Sequence, residues 1–448
     1  MLAASLFVLA CAVAQDDRLD WVLDHSVALR TLDVADGDLE DLAPLGAAIG
    51  DARVVSLGEQ SHGDGASFRA KARLIRYLHE KLGFDVLAFE SGLFDCSIAE
   101  QRLRAATADT AHAAFEQGVF AIWTRSEACR PLFDYLRDAH APGAARPLEI
   151  AGVDCQFTGT ASAGWVDWIA GEAKEMGVAL SDDERAHLAK LYAQLRQLSA
   201  PPAAGAASAP PVEKAAAAAP FVSGLEERFA PVDPKATDSA AARRRRFAAR
   251  TLRNLRVELA VAEGFAADPS QTAKQQEASN LRDVTMGENL VWLANDWFAG
   301  RKIVVWAASR HVAHDLPKVR FVGSPVHLYE KYVTMGDVVQ RELGAAAYTI
   351  LFTAARGTFG SVFDEKKATL DAPAPGSLED LFDRAGPPLA FLDLRAARAA
   401  DSPFQKSFEA RPFGYARCTG PWCEVADAFV YTAEMTPSVP REKTPLAK

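Results

Sequence analysis

ARVVSLGEQSHGDGASFRAKARLIRYLHEKLGFDVLAFE, residues 52–90, holds two short apolar runs with a helical period between them. Ala52 to Leu57 is apolar and closes on Gly58-Glu59, which reads as a strand and its exit. From Ser67 to Leu82, Phe68, Ala72, Ile75 and Leu78 recur every three or four residues, the spacing of one helix face. Gly83 follows, a residue that takes the left-handed conformation ending many helices. Phe84 to Phe89 is the second apolar run and ends at Glu90. Strand, helix and strand in so short a span form a βαβ unit, which requires parallel strands.

The pattern recurs downstream. Pro147 to Val153 ends at Asp154, and Lys302 to Ala307 leads to His311. Tyr348 to Phe352 and Pro388 to Leu392 read as later strands. The fold expected is α/β, a mainly parallel sheet flanked by helices, with a helical insertion. Its first core part covers residues 15–160. The insertion covers 161–298 and returns through a last helix. Within it, the Ala/Pro-rich stretch 199–220 is expected to be mobile, and the Arg243 to Arg246 run to form a solvated face. Residues 299–448 complete the core and end in a C-terminal tail.

The chain of 448 residues carries a net charge of -10, which gives no electrostatic reason to bind nucleic acid. Its hydrophobic content of 49% excludes wholesale disorder. Residues 1–14 hold a short apolar region at Leu6 to Ala10 and a small-x-small site at Ala12 to Ala14. They read as a signal peptide, so the protein is expected to be exported to the periplasm or medium. A lipoprotein signal anchored at Cys11 and an apolar first helix of a cytosolic protein are the other readings. No other segment approaches the ~20 apolar residues of a membrane span. Cys418 and Cys423 flank a turn-rich Thr-Gly-Pro-Trp and could close a disulfide; buried free thiols are the alternative.

Parallel α/β sheets bind ligands at the carboxyl ends of their strands. The residues delivered there are Glu59 and His62, then Glu90, Asp154 and His311. A carboxylate three residues from an imidazole in a Gly-bracketed loop can fix its tautomer and raise its basicity, so that it takes a proton from water. Basic partners are available in Lys71, Arg125 and Arg282. At 100° per residue Arg282 and Asn289 fall within about 20° of each other, and Glu288 points elsewhere. Arg282 could stabilise an oxyanion or form a structural ion pair. No Gly-x-Ser-x-Gly elbow, His-Glu-x-x-His or phosphate-cradling Gly-x-x-x-x-Gly-Lys loop is present. Acid/base chemistry with water as nucleophile remains, and a divalent ion held by Glu59, His62, Glu90 and His311 stays open.

Gly58-Glu59-Gln60-Ser61-His62-Gly63, Phe89-Glu90, Trp123-Thr124-Arg125 and Gly152-Val153-Asp154-Cys155-Gln156 form an ordered set. Arg282-Asp283-Val284-Thr285-Met286-Gly287-Glu288-Asn289 and the segment from Trp306-Ala307 to His311-Val312 extend it. Together they resemble the erythromycin esterase family over about residues 20 to 400. The resemblance implies an α/β core with a helical insertion and hydrolysis of an ester, with no cofactor and no required metal. It implies His62 as general base supported by Glu59, with Glu90 and His311 as further catalytic groups. Lys71, Arg125, Asp154, Arg282, Asn289 and Arg310 are expected on the substrate side, around a small-molecule ester or lactone. One departure stands out: the family's His-Asn-x-His segment is Ala308-Ser309-Arg310-His311 here. A group placed to polarise the carbonyl or handle the leaving group is missing there, with Arg310 as the available substitute. A metal-dependent hydrolase using the same residues and a non-catalytic ligand-binding envelope protein are the two rival readings.

Overall fold

The computed structural model describes residues 16–157, 159–198, 213–230, 239–267, 270–399 and 401–441. The expected signal peptide, Cys11 and stretch 199–212 lie outside them. Nine strands form the main sheet: β1 (Ser26–Ala28), β2 (Val54–Glu59), β3 (Phe84–Gly92), β4 (Glu149–Asp154), β5 (Lys302–Ala308), β7 (Ala347–Phe359), β8 (Ala368–Thr369), β9 (Leu389–Asp393) and β12 (Ala428–Met435). A three-stranded sheet of β6 (Arg320–Phe321), β10 (Phe408–Phe413) and β11 (Ala416–Gly420) lies beside it. The main order is β1-β9-β12-β7-β2-β5-β3-β4, with β8 paired to β7. The run from β12 to β4 is parallel throughout. β2 and β3 are therefore parallel, as the βαβ reading requires, although β5 is inserted between them.

Alternation along the strands explains why these runs are apolar on both sides. Val54, Val86, Ile303 and Val305 join one buried layer, and Leu57, Leu87, Phe89, Val304 and Trp306 the other. The helix Gly65–Leu82 buries Phe68, Ala72, Ile75 and Leu78 in the second layer and ends at Gly83, whose φ of 75° is left-handed. The first layer is covered by the helices between β4 and β5: Trp165–Met176, Asp182–Leu198, Ala215–Phe229, Ala240–Phe265 and Thr272–Trp292. Trp165, Leu188, Leu225, Leu255, Met286 and Leu290 share one buried cluster with the strands, so the helical section completes the core.

The segment expected to be mobile is in part helix, because the Ala-rich run from Ala215 opens Ala215–Phe229 and buries Ala218. The Arg243 to Arg246 run lies on the helix Ala240–Phe265 with Arg243 and Arg244 exposed, and its charges are paired: Arg244 with Glu172 and Glu175, Arg246 with Asp296, while Arg243 donates to Trp297 O. Cys418 and Cys423 are free buried thiols; Cys418 faces the core from mid-strand β11, and Cys423 Sγ lies 3.3 Å from Phe404 O. The second part of the core also contains β12, an inner strand between β9 and β7. Among the described residues no helix is long and apolar enough to cross a membrane.

Candidate active site

The carboxyl ends of β2, β3, β4 and β5 bring two linked charge clusters together. Glu59 ends β2 with its side chain fully buried. His62 Nδ1 lies 3.1 Å from Glu59 Oε1. An ionised carboxylate can only accept, so the proton sits on Nδ1 and Nε2 carries the lone pair. The other Glu59 oxygen takes the Lys71 ammonium, which also donates to Ala307 O at 3.2 Å and lies 4.1 Å over the Trp306 ring. Burial pulls the Lys71 pKa below its ordinary value, against the opposing charge of Glu59. The His62 side chain is 38% exposed and meets Trp123 edge-on.

The second cluster is centred on Glu90. Its Oε1 accepts from Arg282 Nη2 (3.0 Å) and from His311 Nε2 (3.2 Å), and its Oε2 from the Ala308 N–H (3.0 Å). Burial alone would raise the Glu90 pKa, but His311, His62 and Arg282 hold it well below the usual carboxylate range. Arg282 also grips Asp154, with Nη2 2.5 Å from Oδ2 and Nε 3.2 Å from Oδ1. His311 Nδ1 lies 2.6 Å from Asp283 Oδ1. Both imidazole nitrogens thus face carboxylates and both must donate, the arrangement of an imidazolium. Burial opposes that charge, yet Asp283 and Glu90 outweigh it and the His311 pKa rises to about 9. A proton held this tightly makes His311 a fixed positive charge at neutral pH rather than a base.

The expected catalytic residues Glu59, His62, Glu90 and His311 therefore lie at one sheet edge, joined by Asp154 and Arg282. Three expected substrate contacts are placed differently. Lys71 has no exposed surface and its ammonium is committed to Glu59. Asp154 is fully buried against Arg282. Asn289 is fully buried, and its Nδ2 donates to Val153 O (2.9 Å) and Asn254 Oδ1 (3.2 Å). These three hold the site from behind. Arg125 is exposed, with its guanidinium 5.8 Å from the Phe363 ring centroid and no ion pair to either cluster. Arg310 points to Tyr332, with Nη1 3.5 Å from Oη and the guanidinium 5.7 Å from the ring centroid.

Asp283 is the functional residue missed in the sequence. Its signal was an acidic residue at positions i, i+3 and i+7 with Met286 and Leu290, where a helix face facing the core should be apolar. Among the described residues no group of three or more His, Cys, Asp or Glu is arranged to hold a metal ion.

A family model described as erythromycin esterase matches residues 79–431. The chain belongs to the erythromycin esterase family. The matched span contains Glu90, Arg125, Asp154, Arg282, Asn289 and His311 and begins downstream of the loop carrying His62. "Putative hydrolase YbfO" of Bacillus subtilis (strain 168) is 26% identical over 424 residues, covering 88% of this chain and 85% of that protein. A solved Bacillus cereus structure superposes with a TM-score of 0.71 at 17% identity, covering 96% of this chain and all of that one. An erythromycin esterase mutant in its open conformation gives a TM-score of 0.66 at 17% identity, over 92% of this chain and 98% of its own. At such identities the two structures speak for the family's fold alone.

Proposed function

We propose that the protein is a hydrolase that cleaves an ester or lactone, with water activated by His62. The observation that carries this reading is the division of exposure at the site. His62 is open to solvent, whereas the carboxylate orienting it is fully buried and locked by Lys71. A base needs access to its substrate water, and its partner needs a fixed position. Glu59 holds the ring in the tautomer that presents Nε2, and stabilises the imidazolium formed once Nε2 has taken the proton.

The positive charges have a second role in this reading. When water adds to the ester carbonyl, the carbonyl oxygen becomes an oxyanion. Arg282, whose side chain is 13% exposed, is the cation of the Glu90 cluster nearest to solvent. The charged His311 behind Glu90 keeps that cluster from becoming strongly negative. Fixed charges in a partly dry site stabilise a developing anion more than mobile water does. Membership of the erythromycin esterase family and the match to YbfO support hydrolysis as the reaction class.

The test is a panel of simple esters and lactones offered to purified protein and to His62→Asn. Turnover should depend on His62. Equal turnover by both proteins overturns the reading.

A further inference from the structure

Tyr415 stands in a backbone conformation that its residue type disfavours. Phe413 and Ala416 pair across the β10–β11 hairpin, leaving a two-residue turn at Gly414 and Tyr415 with φ of 58° and 63°. Such turns favour Asn-Gly, because both positions need positive φ. Glycine meets that need at 414, but a bulky side chain at 415 is strained. Strain of this kind persists where the surroundings enforce it, often beside functional loops.

The surroundings here are the loop that carries His62. The Gly414 N–H donates to Gln60 O at 2.9 Å, so the hairpin tip is docked on that loop. The Tyr415 ring packs 4.7 Å from Phe359, and its hydroxyl faces the carboxyl group of Asp64, which is fully buried. Asp64 Oδ2 accepts the Ser61 N–H at 2.8 Å, closing the loop around His62. The Gln60 amide, oriented to satisfy both its ends, donates to the same oxygen at 3.1 Å. Asp64 Oδ1 and the Tyr415 hydroxyl are both buried, and neither has a hydrogen-bond partner among the described residues. Burial pushes the Asp64 pKa well above the usual carboxylate range.

We propose that Tyr415 is a positioning residue: its hydroxyl latches Asp64 and thereby holds the Gln60–Gly63 backbone that aims His62. The functional half of this statement rests on His62 being the base. The latch explains why the turn keeps a tyrosine where asparagine or glycine would be unstrained. It also gives the small sheet, which among the described residues supplies no other group to the site, a part in the reaction.

The test combines amide hydrogen exchange of the 58–64 segment with hydrolysis of 4-nitrophenyl acetate. Tyr415→Phe keeps the ring and the strain and removes only the hydroxyl. Exchange in the segment should accelerate about fivefold, the factor of one typical net hydrogen bond, and kcat should fall by a similar factor with KM nearly unchanged. In an Asp64→Ala background, Tyr415→Phe should have no further effect on either readout. Unchanged loop exchange in Tyr415→Phe overturns the latch, as does an equal effect with and without Asp64. Faster exchange with unchanged kcat keeps the latch and overturns the role given to His62.

Discussion

Raising the pH from 6.5 to 9.5 removes the proton from His311, and the structure predicts what that costs. The imidazole is buried between Asp283 and Glu90, and its pKa rises from the ordinary 6.5 to about 9. A histidine whose pKa is higher folded than unfolded stabilises the fold fully below the unfolded value. That stabilisation is lost as pH rises through the folded value. At roughly 1.4 kcal/mol per unit, the rise from 6.5 to about 9 corresponds to about 3 kcal/mol. The assay is urea denaturation at pH 6.5 and 9.5 for wild type and His311→Gln. Other groups titrate in both proteins, so the difference between their pH dependences isolates His311. Wild type should lose about 3 kcal/mol more than the variant across this window. Parallel pH dependences in the two proteins refute the reasoning, and with it the assignment of His311 as a fixed cation.

Glu90→Gln leaves Arg282 and His311 each with one carboxylate fewer in a buried network. A loss of about 3–5 kcal/mol in urea denaturation is expected, as for other broken buried pairs. Lys71→Met strands the Glu59 carboxylate without its cation, so both stability and ester turnover should fall, measured by denaturation and initial rates. Arg125→Ala, at an exposed position without an ion pair to the site clusters, should change stability by no more than about 0.5 kcal/mol. Thiol titration should find Cys96, Cys129, Cys155, Cys418 and Cys423 unreactive in the native protein and all five reactive in denaturant, without prior reduction. N-terminal sequencing of exported protein should begin at Gln15.

The strand exits were legible because physics leaves few alternatives for them. An apolar run closing on Glu59, Glu90 or Asp154 must leave the core where the carboxylate begins, and parallel connections place all such ends on one edge. The tautomer-fixing pair was visible because Glu59 and His62 are only three residues apart. What the sequence hid is burial. Lys71, Asp154 and Asn289 are residue types that contact substrates elsewhere, and nothing in their spacing says that Glu59, Arg282 and Val153 O already occupy them. Asp283 has its partner far along the chain, since only β5 brings His311 to the helix Thr272–Trp292. The hairpin tip at Tyr415 lies some 350 residues from the loop it touches, a contact no local pattern encodes. β12 is placed by its pairing with β7 and β9, contacts that no local pattern encodes.

Whether His62 takes the proton from water is tested most directly by kcat on the best ester found, compared between wild type and His62→Ala. General-base catalysis contributes about 10²–10⁴-fold, so the variant should lose at least about a hundredfold in kcat while unfolding at the same urea concentration. A His62→Ala protein with near wild-type kcat, beside an inactive but folded His311→Ala, would contradict the account and move the chemistry to the Ser309–Val312 segment.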